Sequence, residues 1–225
     1  MADKYDIQQT NQTNKRKEEG GRRKEEGSTL PTKSSVNKTK DKLMTQAIEL
    51  MAEKGYKGVS TKEIAAAAGL SEMTLFRNFG SKMKLLESAI DRYHYSVEMS
   101  KIFEENIQWD LKADLVMIGR MYHEMMDRNR KLFLIVLRDE ELKDIRENAQ
   151  KHPLTLLELL KNYFQEMQHK GKMIPTDAEA QAIHFMWMNY GAFMSRLLGG
   201  PSMSRFSISA FIESSTDLFV RGLKP

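Results

Sequence analysis

The chain has 225 residues, 40% of them hydrophobic, and no cysteine, which is enough apolar material for a cooperative core and excludes a disulfide scaffold, Cys-ligated zinc and a thiol nucleophile. The net charge of +4 is uneven: residues 1–37 hold eight basic and six acidic side chains, 38–90 nine and six, and 91–225 eighteen and nineteen, so a basic front end suited to a polyanion precedes a neutral back end. The longest aliphatic-aromatic run, Leu132–Leu137, is far short of the roughly 20 residues of a membrane span, and the N-terminus lacks a signal peptide's apolar stretch, so a soluble, cytoplasmic protein with no membrane partner is expected.

Few prolines and many Leu, Glu, Lys and Ala favour an all-α chain. Residues 1–36 have few apolar positions and repeat KRKEEG (Lys15–Gly20) as RRKEEG (Arg22–Gly27), which predicts a disordered, solvated arm. From Lys40, the residues Leu43, Ala47, Leu50 and Met51 recur at helical spacing until Gly55 stops the helix. Ser60-Thr61-Lys62-Glu63 has the capping-box form and opens a second helix through Ile64–Ala68, with Ser60 as its N-cap. Gly69-Leu70-Ser71 then supplies a three-residue turn, and Ser71 caps a third helix from about Glu72 to Asn78. In that helix Leu75 and Phe79 are spaced to face a core. Glu72, Met73, Thr74, Phe76, Arg77 and Asn78 are left pointing outward, a set able to bond base edges and phosphates or pack on a thymine methyl. After Gly80, Ser81 caps a fourth helix with Lys82 in its first turn, the makings of a phosphate anchor.

The stretch from Gly55 to Leu86 resembles the signature of the tetracycline-repressor-like (TetR) family of bacterial transcription regulators. Gly55, Thr61–Ala65, Ala68-Gly69-Leu70-Ser71, Thr74-Leu75-Phe76, Phe79, Ser81-Lys82 and Leu85-Leu86 match in order and spacing. Met73, Phe76 and Asn78 depart from it; at Phe76 a common tyrosine hydroxyl, and one phosphate bond, is lost. The resemblance covers about 50 residues with the first helix included. It implies a helix-turn-helix DNA-binding head over residues 37–82, joined to a helical body over 83–225 that binds a ligand and dimerises. Ser60, Thr61, Ser71, Glu72, Met73, Thr74, Phe76, Arg77, Asn78 and Lys82 are the candidate contacts to a double-stranded operator.

Beyond the head, the fourth helix is expected to run from Lys82 past Tyr93 to about Phe103. Leu111, Leu115, Ile118, Tyr122 and Met125 mark a fifth. The run Leu132–Leu137 fits a strand or a helix by pattern, and the resemblance makes it a helix. Pro153 stands at the first position of a seventh helix ending at Gly171, with His152 placed to cap it. Thr176-Asp177-Ala178-Glu179 reads as a second capping box opening a helix to about Leu198. Gly199-Gly200-Pro201 breaks the chain before a last helix, Phe206–Val220.

Met117, Met121 and Met125 form an i, i+4, i+8 row. Phe103, Tyr122, Phe164, Trp187 and Tyr190 are candidates to join it around an apolar or aromatic effector in the cavity that the resemblance implies among such helices. Ala182–Met194 is apolar on nearly every side, so its own bundle covers one face and another must be covered elsewhere; a homodimer through the last two helices is expected. His94, His123, His152, His169 and His184 show no ligand spacing: position 127 is Asp, so HExxH is absent, and no nucleophile elbow, P-loop or dinucleotide fingerprint occurs. Neither catalysis, a metal nor a cofactor is expected. The reading is a repressor released from its operator by a small apolar molecule. The alternative is a DNA-binding architectural or division-control protein whose body binds a protein partner, which a body without a cavity would favour.

Overall fold

The computed structural model describes residues 33–93, 96–149, 151–199 and 206–225. Residues 1–32, which hold nearly all of the expected arm, His94 and the Gly200-Pro201 part of the expected break lie outside the described residues. The described chain is all-α. Its helices are α1 (Lys33–Lys54), α2 (Thr61–Ala67), α3 (Glu72–Phe79), α4 (Lys82–Tyr93), α5 (Ser96–Glu105), α6 (Leu111–Arg128), α7 (Arg130–Arg138), α8 (Lys143–Ala149), α9 (Lys151–His169), α10 (Ala178–Gly199) and α11 (Ile208–Arg221), with a 3-10 turn at Glu140–Leu142 between α7 and α8.

Two apolar clusters organise these helices. The first joins Leu43, Ala47 and Met51 of α1 to Ile64, Leu75, Leu85 and Leu86, so the helix-turn-helix is tied to α1 and α4 by buried side chains at 3.6-residue spacing. Leu132, Ile135 and Val136 of α7, Leu142 and Ile145 belong to the same cluster. The core of the head thus extends well beyond residue 82. The second cluster fills the body, from Met99 and Ile102 through Leu115, Ile118, Leu160 and Phe164 to Ala182, Phe185, Phe193 and Val220. Within it Asp114, 1% exposed, accepts from the Tyr163 hydroxyl at 2.9 Å and from the Gln108 N–H at 2.9 Å. Burial, then the Asp114 carboxylate, hold the Tyr163 phenol well above its ordinary range.

Several sequence-level expectations change. The described chain is already helical at Lys33, ahead of the expected start near Lys40. The expected fourth helix is helical over Lys82–Tyr93 and Ser96–Glu105, and residues 94 and 95 between these stretches lie outside the described residues. The α8 helix carries too short a pattern to be recognised and was not expected. Pro153 is the third residue of α9 rather than its first. His152 therefore does not cap that helix; it lies inside it and is 7% exposed. At α10 the cap is Asp177, whose Oδ1 accepts from the N–H groups of Glu179 at 3.0 Å and Ala180 at 3.1 Å, rather than Thr176. Asp177 directly precedes the first helical residue, so its carboxylate reaches the first-turn donors, while Glu179 pairs with Lys161 at 3.0 Å. No helix among the described residues is long and apolar enough to cross a membrane.

Candidate nucleic-acid interface and ligand cavity

The turn between α2 and α3 is built by backbone bonds. Gly69 takes φ +68°, a conformation costly for any residue with a Cβ, and the next N–H, that of Leu70, returns to the Ala65 carbonyl at 2.9 Å. Ser60 caps α2: its hydroxyl accepts from the Glu63 N–H at 3.2 Å, while the Glu63 carboxylate accepts from the Ser60 N–H at 2.9 Å. That backbone donor, the Ser60 hydroxyl and Lys54 hold the Glu63 carboxyl down to about 2 from an ordinary 4.5. A carboxyl depressed in the folded state stabilises the fold above its unfolded value, and that contribution is lost as pH falls from about 4.5 through about 2. The melting temperature of the wild-type chain should therefore drop more steeply across this acid window than that of Glu63→Gln; parallel curves would show that the box adds nothing to stability.

The structure does not leave all of the expected DNA-facing residues free. The Thr61 hydroxyl donates to Glu72 Oε1 at 2.5 Å, linking the starts of α2 and α3. Ser71 and Thr74 share a hydroxyl contact at 2.9 Å, and the Ser71 hydroxyl caps the Thr74 N–H at 3.2 Å. Asn78 donates its amide to the Thr74 carbonyl at 2.7 Å. The outward groups with no such tie are Met73, 80% exposed, Phe76, 47% exposed, and Arg77, also exposed. Lys82 is half-buried. Its ammonium lies 4.2 Å from the Tyr56 ring centroid and donates to the carbonyls of Tyr56 at 2.8 Å and Val59 at 2.7 Å. Burial lowers its pKa. Two of its three protons thus hold the α1–α2 connection, and one is left for a phosphate. Sequence reasoning passed over Lys62, an exposed cation in the first turn of α2 beside Thr61, whose only signal was its charge.

From the body side, Asp139 reaches the same connection: its Oδ2 accepts from the Tyr56 N–H at 2.9 Å. Lys57 pairs with Glu141 at 3.1 Å, and Lys131 of α7 with Glu49 of α1. The segment from α7 to α8 therefore grips the head by both apolar and polar contacts.

The other side of that segment forms one wall of a cavity of about 440 Å³, within the range of small-molecule sites. Ile90 and Tyr93 of α4, Tyr122 and Met126 of α6, Asn129 between α6 and α7, Leu132, Phe133 and Val136 of α7, Arg146 of α8, His152 of α9 and Met186, Trp187 and Tyr190 of α10 line it. Trp187 is 70% exposed and Tyr190 42%, so the cavity opens to the surface beside them. Of the eight expected ligand contacts, Tyr122, Trp187 and Tyr190 are in its wall. Phe103, Met117, Met121 and Phe164 are packed in the body core instead, because α6 turns Tyr122 and Met126, not the methionine row, toward the space. Met125 faces a separate cleft of about 420 Å³ where α1, α4, α6 and α7 meet. The charges of that cleft are matched: Arg128 pairs with Glu98 and Lys131 with Glu49.

Among the histidines, His123 is 2% exposed and faces Arg196 at 3.2 Å; burial, then that guanidinium, lower its pKa to about 4. His169 and His184 are exposed, near Glu166 and Gln181. No group of three or more His, Cys, Asp or Glu among the described residues is placed to hold a metal ion.

Residues 43–89 match the family described as bacterial regulatory proteins, tetR family. The chain is 33% identical over 187 residues, 82% of its own length and 97% of the relative's, to YvkB, an uncharacterized HTH-type transcriptional regulator of Bacillus subtilis (strain 168). Its fold is similar to that of NalD, the secondary repressor of the MexAB-OprM multidrug efflux pump in Pseudomonas aeruginosa, with TM-score 0.68 and 20% identity over 85% of this chain and 98% of that one. It is also similar to FadR from Bacillus subtilis, solved in complex with stearoyl-CoA, with TM-score 0.66 and 18% identity over 81% and 98%.

Proposed function

We infer the function from one premise: this chain belongs to the TetR family of bacterial transcription regulators. It is a helix-turn-helix DNA-binding regulator, and we propose that it is a homodimeric repressor released from its operator by a small, largely apolar effector. The observation that carries the effector reading is the position of α7. Leu132 and Val136 line the cavity and also belong to the core of the head, so a molecule that fits only one arrangement of α7 also selects the position of α1 and the helices packed on it. The effector acts by its differential affinity for the two arrangements; inverting a 99:1 population takes about 10⁴-fold discrimination. The presence of a cavity in the body supports this reading over a body that only recruits a protein.

Dimerisation rests on the outer faces of α10 and α11. Trp187, Tyr190 and Leu198 of α10 and Leu218 of α11 are large apolar side chains left exposed. Gly191 among them has nothing within 4 Å of where a Cβ would stand, which leaves room for close approach of a second helix. Two heads on a two-fold axis read two half-sites about one helical turn, or a multiple, apart.

Selection from a pool of random duplexes with the purified chain should enrich a palindromic site. A panel of alkyl and aromatic compounds should include members that raise the melting temperature of the protein and release that duplex. Enrichment of an unpaired half-site would remove the dimeric reading, and a panel that never shifts the melting curve would remove the effector.

A further inference from the structure

The cavity is chemically lopsided. Its α4, α6, α7 and α10 walls are apolar or aromatic apart from Asn129 between α6 and α7, while the α8–α9 wall carries Arg146 and His152, and among the described residues no Asp or Glu lines it. The amide of Asn129 is already donated to the Tyr93 carbonyl at 2.6 Å. Arg146 is half-buried. It has no ion-pair or hydrogen-bond partner among the described residues, and in this it differs from the other arginines between Arg92 and Arg221, each of which, where described, donates to a carboxylate or a backbone carbonyl. A guanidinium drawn partly out of water without a counter-charge is costly, and its planar fork of donors matches an oxyanion.

Resting on the effector reading above, we propose that the effector is an amphiphile with an anionic oxygen head group bound by Arg146 and a hydrocarbon body lying against Met126, Phe133, Met186 and Trp187. The position of Arg146 gives the head group a route to the DNA. The preceding residue, Ile145, is buried at 4% exposure in the core of the head together with Leu142. An anion that fixes α8 thus acts on the element that packs against the head, while the hydrocarbon acts through α7. The cavity reads both ends of the molecule.

The test is calorimetric titration of the full chain with decanoate, decyl phosphate, decan-1-ol and decylamine, each below its micelle concentration. At least one of the two anions should bind about tenfold or more tightly than the alcohol, and the amine most weakly, since a charge-assisted bond in a partly dry site replaces a neutral one. The anion that binds more tightly identifies the head group as carboxylate or phosphate. Arg146→Gln should bring the anions down to the level of the alcohol and leave the affinity for the alcohol unchanged, which also shows that the variant is folded; Arg146→Lys should keep part of the preference. Equal affinity for alcohol and anions, or an anion preference that survives Arg146→Gln, overturns the assignment while leaving an apolar effector standing. Binding by none of the four, with no change in melting temperature, overturns both.

Discussion

Arg77→Ala should lower affinity for the selected operator by about 1–3 kcal/mol at each half-site while changing affinity for random duplex little. The expectation comes from sorting the head's side chains by what already holds them. Thr61 and Glu72 bind each other, Ser71 and Thr74 share a hydroxyl contact, and Asn78 bonds the backbone of its own helix. These five set the angle between α2 and α3 and hold the start of α3 in shape. Arg77, with Met73 and Phe76, projects from that framework with its donors unspent. Lys82→Met should behave differently. Its ammonium ties the carbonyls of Tyr56 and Val59, so its loss loosens the α1–α2 connection, lowers the melting temperature and weakens binding to all sequences alike. Anisotropy titrations of both variants on operator and random duplexes across a salt series separate the two effects, because a lost phosphate contact changes the salt slope and a lost base contact changes the preference. Equal losses on both duplexes for Arg77→Ala would remove α3 as the reader.

The head was legible because its signals are local. Ser60 and Glu63 sit three residues apart and cap each other; Gly69 stands where the chain needs a positive φ; Leu75 and Phe79 are spaced to face the core, where Leu75 is fully buried and Phe79 packs half-buried. What Lys82 does was not legible, since its partners are the carbonyls of residues 56 and 59, and nothing in a sequence says which carbonyl a lysine will reach. The cavity was legible only in part for a similar reason. Tyr122, Trp187 and Tyr190 stand in its wall, yet the wall is completed by α7, α8 and the first turn of α9, short elements whose patterns carry little periodicity. The methionine row was assigned to the ligand because it recurs every four residues. Periodicity identifies the apolar side of a helix without saying which neighbour it meets, and here Met117 and Met121 meet the core of the body.

Leu218→Glu should convert the protein to monomer at micromolar concentration and lower operator affinity by about 10²–10⁴-fold, the advantage of linking two weak half-site contacts. Leu218 is 74% exposed on α11, so a charge there costs the isolated protomer almost nothing. In a two-fold interface the same position meets its symmetry-related surroundings, and a carboxylate buried among apolar side chains without a partner is strongly destabilising. Phe211 is a poorer probe of the same surface, because its ring packs edge-on against His123 inside the protomer at 6.3 Å, and its replacement would disturb the fold as well as the contact. Leu154→Glu provides the control: Leu154 is also exposed, but on α9 rather than on α10 or α11, so it should leave both mass and DNA binding unchanged. Sedimentation of the three proteins beside their operator titrations decides the matter. A Leu218→Glu chain that still sediments at twice the monomer mass places the interface elsewhere, and one that is monomeric yet binds the operator at wild-type strength would show that each head acts alone.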